Sequence, residues 1–179
     1  GYAYDPENPS QHIIDMSENE IEVPENYTRE ELRQDLLCYT SPVLKENLVL
    51  TGDMTAELYI SSDAPDTDFV VRVTDVDENG RSIKLADGLL SARYRNGFAR
   101  SEFLQEGEIV CLKIRTTKLS NCFRKGHRIR VTVTSSAKNF IFPNSNTREG
   151  FASARTVVAH NRVYHGGLHA SRLTVRVEP

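Results

Sequence analysis

The sequence has no tryptophan, only three cysteines and no long apolar run. None of its hydrophobic stretches approaches the ~20 residues that a membrane-spanning helix needs, so no membrane association is predicted. The cysteines Cys38, Cys111 and Cys122 form no C-x-x-C pair and are odd in number, which favours reduced thiols over disulfides. The first residues also lack the basic and apolar regions of a signal peptide. Together these absences predict a cytoplasmic protein.

A serine nucleophile of the α/β type is also missing. The motif G-x-S-x-G does not occur, and neither do the alternating strand and helix units that would carry it. Ser135 and Lys138 match S-x-x-K, a pairing in which a lysine acts as base for a serine. This match follows a strand instead of opening a helix, and its companion motifs are absent. We therefore interpret Lys138 as a solvated residue and predict no catalytic residue in this chain.

The net charge of −3 hides an asymmetry between the two parts of the chain. Residues 1–36 hold ten acidic residues against two arginines, whereas the remainder holds fifteen acids and twenty bases. A basic bias of this kind can indicate nucleic-acid binding. Here the bases alternate with apolar residues along strands, and few aromatic residues lie between them to stack on bases. The pattern favours a solvated or domain-docking face, and no nucleic acid is predicted as a partner.

The chain reads as one domain with an N-terminal extension. Residues 1–36 contain three prolines and no periodicity at first, which predicts an extended connector. Thr28 and Glu31 have the spacing of a capping box, so a short helix is expected from Thr28 to about Asp35. From residue 37 to residue 179 the pattern changes to that of strands, and this range is predicted to form a β-sandwich.

Alternation of apolar and polar residues is the main structural signal after residue 37. It occurs at residues 54–60, 110–114, 129–134 and 173–177, and it predicts strands with one buried and one wet face. With the remaining segments this gives about eight or nine strands and an all-β sandwich. Local pattern alone leaves the choice between an immunoglobulin-like and a jelly-roll order open.

The region from Phe69 to Tyr94 predicts an antiparallel hairpin. Its first half is rich in valine and threonine, which pack well on a pleated surface. Asn79-Gly80 then favours a tight type I′ turn. The preceding acidic residues imitate the start of an EF-hand loop, but Ala86 stands where that loop requires a glutamate. A second long segment, residues 135–153, is predicted to be a polar loop that is functional or covers another surface.

Four phrases of the sequence resemble one protein family. They are Tyr39–Pro42, the Asp-Ala-Pro-Asp-Thr-Asp-Phe run at 63–69, the run Ala-Asp-Gly-Leu-Leu-Ser-Ala-Arg-Tyr-Arg at 86–95, and Val163–His165 leading to His169–Leu173. In this order and spacing they resemble the C-terminal domain of the Xaa-Pro dipeptidyl-peptidase and cocaine-esterase (CocE/NonD) group of serine hydrolases. The chain departs from that pattern at Ala170, where a proline is common, and in its long acidic lead-in.

The resemblance implies a fold and a role. It selects a jelly-roll β-sandwich of the galactose-binding-domain-like type. It also implies that the nucleophile, acid and histidine lie in an upstream α/β-hydrolase domain of the same polypeptide. The sandwich would pack on that domain and help shape a pocket for acyl esters or amides, including peptides with proline at the second position. A homo-oligomer is left open, and no cofactor is predicted.

Five residues of the family-like phrases are candidates for contacts with the catalytic domain or the pocket wall. They are polar or amphipathic groups that can bridge a wet seam between domains: Asp68, Asp87, Arg93, Tyr94 and His165. The alternative for each residue is a satisfied hydrogen bond within the sandwich.

Metal sites are a secondary expectation. Asp63, Asp66 and Asp68 are the calcium candidates, because many galactose-binding-type folds hold structural calcium, although turn and interdomain hydrogen bonds explain the same residues. His160, His165 and His169 could hold zinc only if the chain bends sharply between them. The sequence therefore predicts no metal site.

One alternative belongs to a different class of function. A stand-alone carbohydrate-binding or protein-interaction module would suit the fold type. The absence of tryptophan and the small number of predicted exposed aromatic residues argue against sugar binding. The distinguishing observation is whether an α/β domain with G-x-S-x-G precedes this chain in its reading frame.

Overall fold

Strands dominate the computed structural model of the chain, which describes residues 1–13, 25–175 and 177. In chain order the strands are β1 (Tyr2–Tyr4), β2 (Leu36–Thr40), β3 (Leu48–Gly52), β4 (Thr55–Ser62), β5 (Asp68–Val76), β6 (Ser82–Ser91), β7 (Val110–Arg115), β8 (Leu119–Phe123), β9 (Arg128–Thr134), β10 (Ala159–Val163), β11 (His165–Gly166), β12 (His169–Ala170) and β13 (Arg172–Thr174). Short 3-10 turns lie at Glu30–Leu32, Ala92–Tyr94 and Gly150–Ala152. Within the described ranges no helix is long and apolar enough to cross a membrane.

Two antiparallel sheets form the sandwich. One has five strands: β4 pairs with β7 and with both β10 and β13, and β1 pairs with the other side of β10. The other sheet has the order β2-β9-β5-β6. Two small ribbons, β3 with β8 and β11 with β12, complete the described strands. The all-β sandwich expected from the alternating pattern is confirmed, whereas the jelly-roll and galactose-binding-like assignment stays a prediction.

The main core lies between the two sheets. The five-stranded sheet contributes Leu58, Ile60 and Leu112, and the four-stranded sheet contributes Phe69 and Val71. These side chains follow the predicted period of two, because alternate residues of a strand face the same side. A second cluster around Leu50, Met54 and Phe123 extends the core under the β3–β8 ribbon. The apolar stripes read from the sequence therefore face one another as expected.

The outer face of the four-stranded sheet is buried as well. Arg72 and Thr74 of β5 and Thr132 and Thr134 of β9 are nearly inaccessible, although they point away from the core. Part of the N-terminal segment covers them: residues 10–12 bond to residues 136–138. The guanidinium of Arg72 lies 3.7 Å from the ring centroid of Tyr27. A polar layer thus lies between the sheet and the N-terminal segment. This segment, for which the sequence predicts an extended connector, also supplies strand β1.

The hairpin of β5 and β6 is confirmed, but its turn differs from the predicted type I′. Gly80 has a positive φ of 81°, and Asn79 does not. The N–H of Gly80 donates to the carbonyl of Asp77, and Asp77 pairs with Arg81. This is a three-residue loop with glycine in the left-handed conformation, which the hairpin rules also allow. Asp77 caps it by accepting the N–H groups of Asn79 and Arg81 at 2.9 Å each.

The helix predicted from Thr28 to Asp35 is a single 3-10 turn at Glu30–Leu32. A capping box needs the Glu31 side chain to return to the N–H of Thr28. That N–H instead donates to Oδ1 of Asn26 at 3.0 Å. The Glu31 carboxylate reaches the sheet, where it accepts the hydroxyl of Ser82 at 2.7 Å and pairs with Arg130. Tertiary contacts therefore override the local signal, and the helix prediction is wrong in extent.

Candidate functional site

Two strand ends and a loop meet at one end of the sandwich. Asp68 begins β5, and the antiparallel register places it opposite the last residue of β6. The 3-10 turn that follows β6 therefore lies beside the loop that precedes β5. The N–H of Ala92 fixes this arrangement by donating to the carbonyl of Thr67 at 2.9 Å. As a result Arg93 is held over Asp66.

A buried ion pair joins Arg93 to Asp66. Nε of Arg93 donates to Oδ2 of Asp66 at 2.7 Å, and the backbone N–H of Arg93 donates to Oδ1 at 3.0 Å. Asn144, from the loop after β9, donates through Nδ2 to Asp66 at 2.7 Å and to Asp68 at 2.9 Å. Asp66 is fully buried, and a buried charge persists only when it is paired and hydrogen-bonded. The cluster thus ties three separate chain segments together.

The far end of the Arg93 side chain holds the long loop. Its Nη1 donates to the carbonyl of Arg148 at 3.1 Å and its Nη2 to the carbonyl of Thr147 at 3.0 Å. Gly150 follows with a φ of +63°, and a Cβ at this position would lie 3.1 Å from Nη2 of Arg93. Glycine therefore serves both the left-handed backbone and the close approach of the guanidinium.

Asp68 is the second carboxylate of this cluster and is 6% exposed. Burial raises the pKa of Asp68 above its ordinary value. Hydrogen bonds from Ser91 and Asn144 and the charge of Arg93 oppose this shift, while the negative charge of Asp66 adds to it. Its direct hydrogen-bond donors are neutral, so its negative charge is only partly compensated.

Exposed aromatic rings surround a small cavity above the two carboxylates. The cavity, which we call the carboxylate notch, has a volume of about 180 Å³ and is lined by Asp66, Asp68, Arg93, Tyr94, Phe142 and Phe151. Phe142 and Phe151 are 79% and 76% exposed, with ring centroids 5.9 Å apart. Phe98 is also 79% exposed, and its ring centroid lies 5.4 Å from that of Tyr94, which lines the cavity. We call Phe98, Phe142 and Phe151 the phenylalanine rim.

Sequence reasoning placed only part of this site. It named Asp68, Arg93 and Tyr94, and the structure brings these three together at the notch. It missed the phenylalanine rim and Asn144 as functional residues. The usable signal was the apolar run around Phe142 inside a segment predicted to be a polar loop. Apolar side chains in such a loop indicate a surface that another molecule covers.

Asp87 lies elsewhere, on the outer face of the four-stranded sheet. Its Oδ2 is 2.9 Å from Nε2 of His12 and 3.6 Å from Nζ of Lys84. Burial acts to raise the pKa of Asp87, but the His12 hydrogen bond and the charges of Lys84, His12 and Arg72 outweigh burial and leave this pKa below its ordinary value. Asp87 thus attaches the N-terminal segment to the sheet, and a role in domain contact stays a prediction.

His165 does not line the notch and contacts a different part of the sandwich. Its Nε2 is 2.8 Å from the hydroxyl of Tyr39, and the two rings meet edge to face at 4.9 Å. Both residues border an apolar groove of about 280 Å³ that reaches Leu58 and Val133 between the sheets. His165 therefore bridges β2 to the short β11–β12 ribbon. Its assignment as a pocket-wall residue remains untested.

The side chains of the metal candidates are occupied by hydrogen bonds and ring contacts within the protein. Asp63 accepts the N–H and the ring nitrogen of His160, both at 2.7 Å. Asp66 and Asp68 accept the donors described above. The rings of His165 and His169 contact tyrosines. Across residues 1–13, 25–175 and 177 no group of three or more histidine, cysteine or acidic residues could hold a metal ion.

The S-x-x-K match is divided between the interior and the surface. Ser135 is fully buried, with its Oγ 2.8 Å from the hydroxyl of Tyr2 and 2.9 Å from Nδ2 of Asn161. Lys138 is exposed. A nucleophile needs its base within hydrogen-bond reach, and the contacts of Ser135 are with neutral groups. The interpretation of Lys138 as a solvated residue agrees with its exposure.

Comparison with known proteins bears directly on this architecture. Residues 2–174 match the family model described as the X-Pro dipeptidyl-peptidase C-terminal non-catalytic domain. The chain is 37% identical over 150 residues to a cocaine esterase of Rhodococcus sp., covering 81% of this chain and 26% of the esterase. It is 33% identical over 161 residues to a putative serine esterase of Mycobacterium bovis, covering 79% of this chain and 24% of that protein. The chain therefore spans about a quarter of the length of these relatives.

Solved structures share the fold. An aminopeptidase from a marine sediment Thaumarchaeota archaeon superposes with a TM-score of 0.91 and 24% identity, covering 99% of this chain and 33% of the aminopeptidase. An alpha-amino acid ester hydrolase superposes with a TM-score of 0.89 and 22% identity, covering 99% of this chain and 32% of the hydrolase. The resemblance of the four sequence phrases, the family model and the curated relatives agree. The chain belongs to the family of X-Pro dipeptidyl-peptidase C-terminal non-catalytic domains.

Proposed function

We propose that this chain is the accessory domain of a serine hydrolase and that it packs on an α/β-hydrolase domain of the same polypeptide. The phenylalanine rim around the carboxylate notch carries the proposal. Its three phenylalanines are each more than three-quarters exposed. Phe142 and Phe151 line the notch together with residues of the family-like phrases, and Phe98 contacts Tyr94 of one such phrase. Large apolar side chains on a surface mark an interaction site.

The rim is energetically suited to a domain contact. Full burial of one phenylalanine side chain is worth about 1.5 to 3 kcal/mol relative to exposure. The notch adds polar groups, which can make directional hydrogen bonds across such a contact. Asp68, Arg93 and Tyr94 are the proposed contact residues, and Asp87 and His165 remain predicted contacts at other faces.

The proposed substrates of the parent enzyme are acyl esters or amides, including peptides with proline at the second position. The family description names an X-Pro dipeptidyl-peptidase, and relatives are described as an esterase and an aminopeptidase. Within such an enzyme this domain would exclude water, limit substrate length and support the catalytic domain. The comparisons give no support to a stand-alone carbohydrate-binding module.

Two measurements test the proposal. The reading frame before Gly1 should encode an α/β domain with G-x-S-x-G. The 179-residue chain alone should hydrolyse neither p-nitrophenyl esters nor Xaa-Pro-nitroanilides, and a fluorophosphonate should label no defined serine. A frame without that domain would overturn the proposal, and labelling of Ser135 would revive catalysis by this chain itself.

A further inference from the structure

The carboxylate notch carries more negative than positive charge. Among the described residues, three carboxylates line it, those of Asp66, Asp68 and Glu149, against one cation, that of Arg93. Arg93 is committed to Asp66 and to loop carbonyls. Asp68 is hydrogen-bonded to the neutral Asn144, and among the described residues no lysine, arginine or histidine pairs with it. Glu149 is hydrogen-bonded to Thr147 and lies near the charges of Arg148 and Arg155. A cation entering the notch would therefore meet one carboxylate, that of Asp68, to which no cation is directly paired.

The walls of the notch suit a planar cation. Phe142 and Phe151 present exposed, stacked rings at the opening, and a guanidinium placed over a phenylalanine face is attracted by the ring. The chain already uses this arrangement nearby. The guanidinium groups of Arg93 and Arg148 lie 5.1 Å and 4.6 Å from the ring centroid of Phe103.

The size of the notch limits what can enter. Its volume of about 180 Å³ corresponds to about six water molecules at about 30 Å³ each. This space suits the end of one long side chain, while the surrounding rim offers a wider apolar surface. The combination resembles the centre of a protein interface, where an arginine anchor lies within an aromatic surround.

We infer that the notch receives an arginine side chain of the catalytic domain. This inference rests on the proposed function and names the group through which that domain docks. Arginine is favoured over lysine because its planar fork bonds carboxylates in a bidentate manner and stacks on aromatic rings. The arginine would reach Asp68 and Glu149, and the phenylalanine rim would pack around it.

The test uses the 179-residue chain labelled with ¹⁵N and two small probes. N-acetyl-arginine N-methylamide supplies the cation, and N-acetyl-citrulline N-methylamide has nearly the same shape without the charge. The reporters are the side-chain amide of Asn144 and the Nε–H of Arg93, which bond to the notch carboxylates. At constant ionic strength, the arginine probe should shift both signals saturably and the citrulline probe should not.

Variants locate the binding. Glu149→Gln changes an exposed residue and should lower the affinity for the arginine probe by about three- to tenfold without loss of the fold. Asp68→Asn and Phe151→Ser should lower this affinity by a similar factor. Glu46→Gln makes the same charge change in the exposed loop between β2 and β3, and Leu168→Ser removes an exposed apolar side chain at the β11–β12 turn. These two controls should leave the affinity unchanged.

Several results would overturn the inference. They are the absence of any shift, equal shifts with citrulline, equal affinity for N-acetyl-lysine N-methylamide, or shifts that depend on protein concentration alone, which would indicate a second copy as the occupant. The reading-frame test of the proposed function does not involve the probes. If the reading frame encodes the α/β domain but the notch binds no probe, only the inference of an arginine is rejected and the proposed function stands.

Discussion

At the scale of single residues, Arg93 is more than a surface contact. It neutralises the fully buried Asp66 and holds two loop carbonyls. Arg93→Ala should lower the free energy of unfolding of this chain by about 3 to 5 kcal/mol, because it leaves a buried charge without its partner. Urea unfolding measures this. Arg100→Ala breaks an exposed pair with Glu102 and should leave the stability nearly unchanged, because exposed ion pairs contribute little. Similar losses for both variants would contradict the buried role.

Asp87 should make the fold sensitive to acid. Its pKa is lowered from the ordinary value of 3.8: burial alone would raise it, but the hydrogen bond from His12 and nearby positive charges outweigh burial. A carboxylate with a depressed pKa contributes stability that is present above the unfolded pKa and is lost as the pH falls through the folded pKa. We expect Asp87→Asn to flatten the fall in unfolding free energy below pH 4.

The matched control for this experiment is Glu46→Gln. Glu46 is exposed in the loop between β2 and β3, so the variant makes the same change of charge without removing a contact to His12. Its acid profile should follow that of the parent chain. A steep acid loss that persists in Asp87→Asn would show that other carboxylates control the acid limit.

The contacts between residues at the notch could not be predicted from the sequence, and the reason is physical. Asn144 bonds to Asp66 and Asp68 across 78 and 76 positions of the chain, and no local period links them. Phe142 and Phe151 lie nine positions apart in a segment predicted to be a polar loop, and no local pattern shows that both rings are exposed at the notch. Arg93 and Tyr94 could be named only through the family-like phrase that contains them.

At the scale of elements, Gly88 allows β6 to pass close to the end of β7. A Cβ on Gly88 would lie 2.4 Å from the carbonyl oxygen of Arg115, so backbone would have to move. Gly88→Ala should cost about 1 to 3 kcal/mol of unfolding free energy, as overpacking does. Gly166→Ala is the control, because its Cβ meets nothing within 4 Å and should change stability by about 0.5 kcal/mol or less. Thermal melting of both variants tests the difference.

The elements themselves were largely predictable where the signal was local. The alternation at residues 54–60 and the valine-rich run after Phe69 produced β4 and β5 as expected, because the period of two fixes which face is buried. The signal at Thr28 and Glu31 failed because Asn26 and the sheet took the hydrogen bonds that a helix would need. Strand β1 could not be predicted from the sequence, because it has only three residues and its pairing partners lie far along the chain in β10.

At the scale of the whole molecule, buried and half-buried tyrosines should set the alkaline limit of the fold. Burial raises the pKa of Tyr27 and Tyr39 from 10.0 to about 12, and it raises those of Tyr2 and Tyr4 further. A raised pKa means that stability is complete below the unfolded value and is lost as the pH rises toward the folded value. The unfolding free energy should therefore fall from about pH 10 to pH 12.

Tyr27→Phe separates this effect from general alkaline damage. The variant loses the hydrogen bond from the N–H of Ile13 and should start lower by about 1 kcal/mol. It should then decline less steeply above pH 10, since one tyrosine fewer must ionise. Unfolding curves at several alkaline pH values give both quantities, and an unchanged slope would contradict the assignment.

Strand β1 also decides how this domain can be exchanged between enzymes. Tyr2 and Tyr4 are buried and β1 pairs with β10 of one sheet, whereas β2 begins at Leu36 in the other sheet. A chimera joined at residue 37 would leave β10 with a bare edge and remove two core tyrosines together with the cover of the second sheet. The segment that must be transferred as one piece therefore begins before Tyr2. A chimera joined at residue 37, after the predicted connector, should be insoluble.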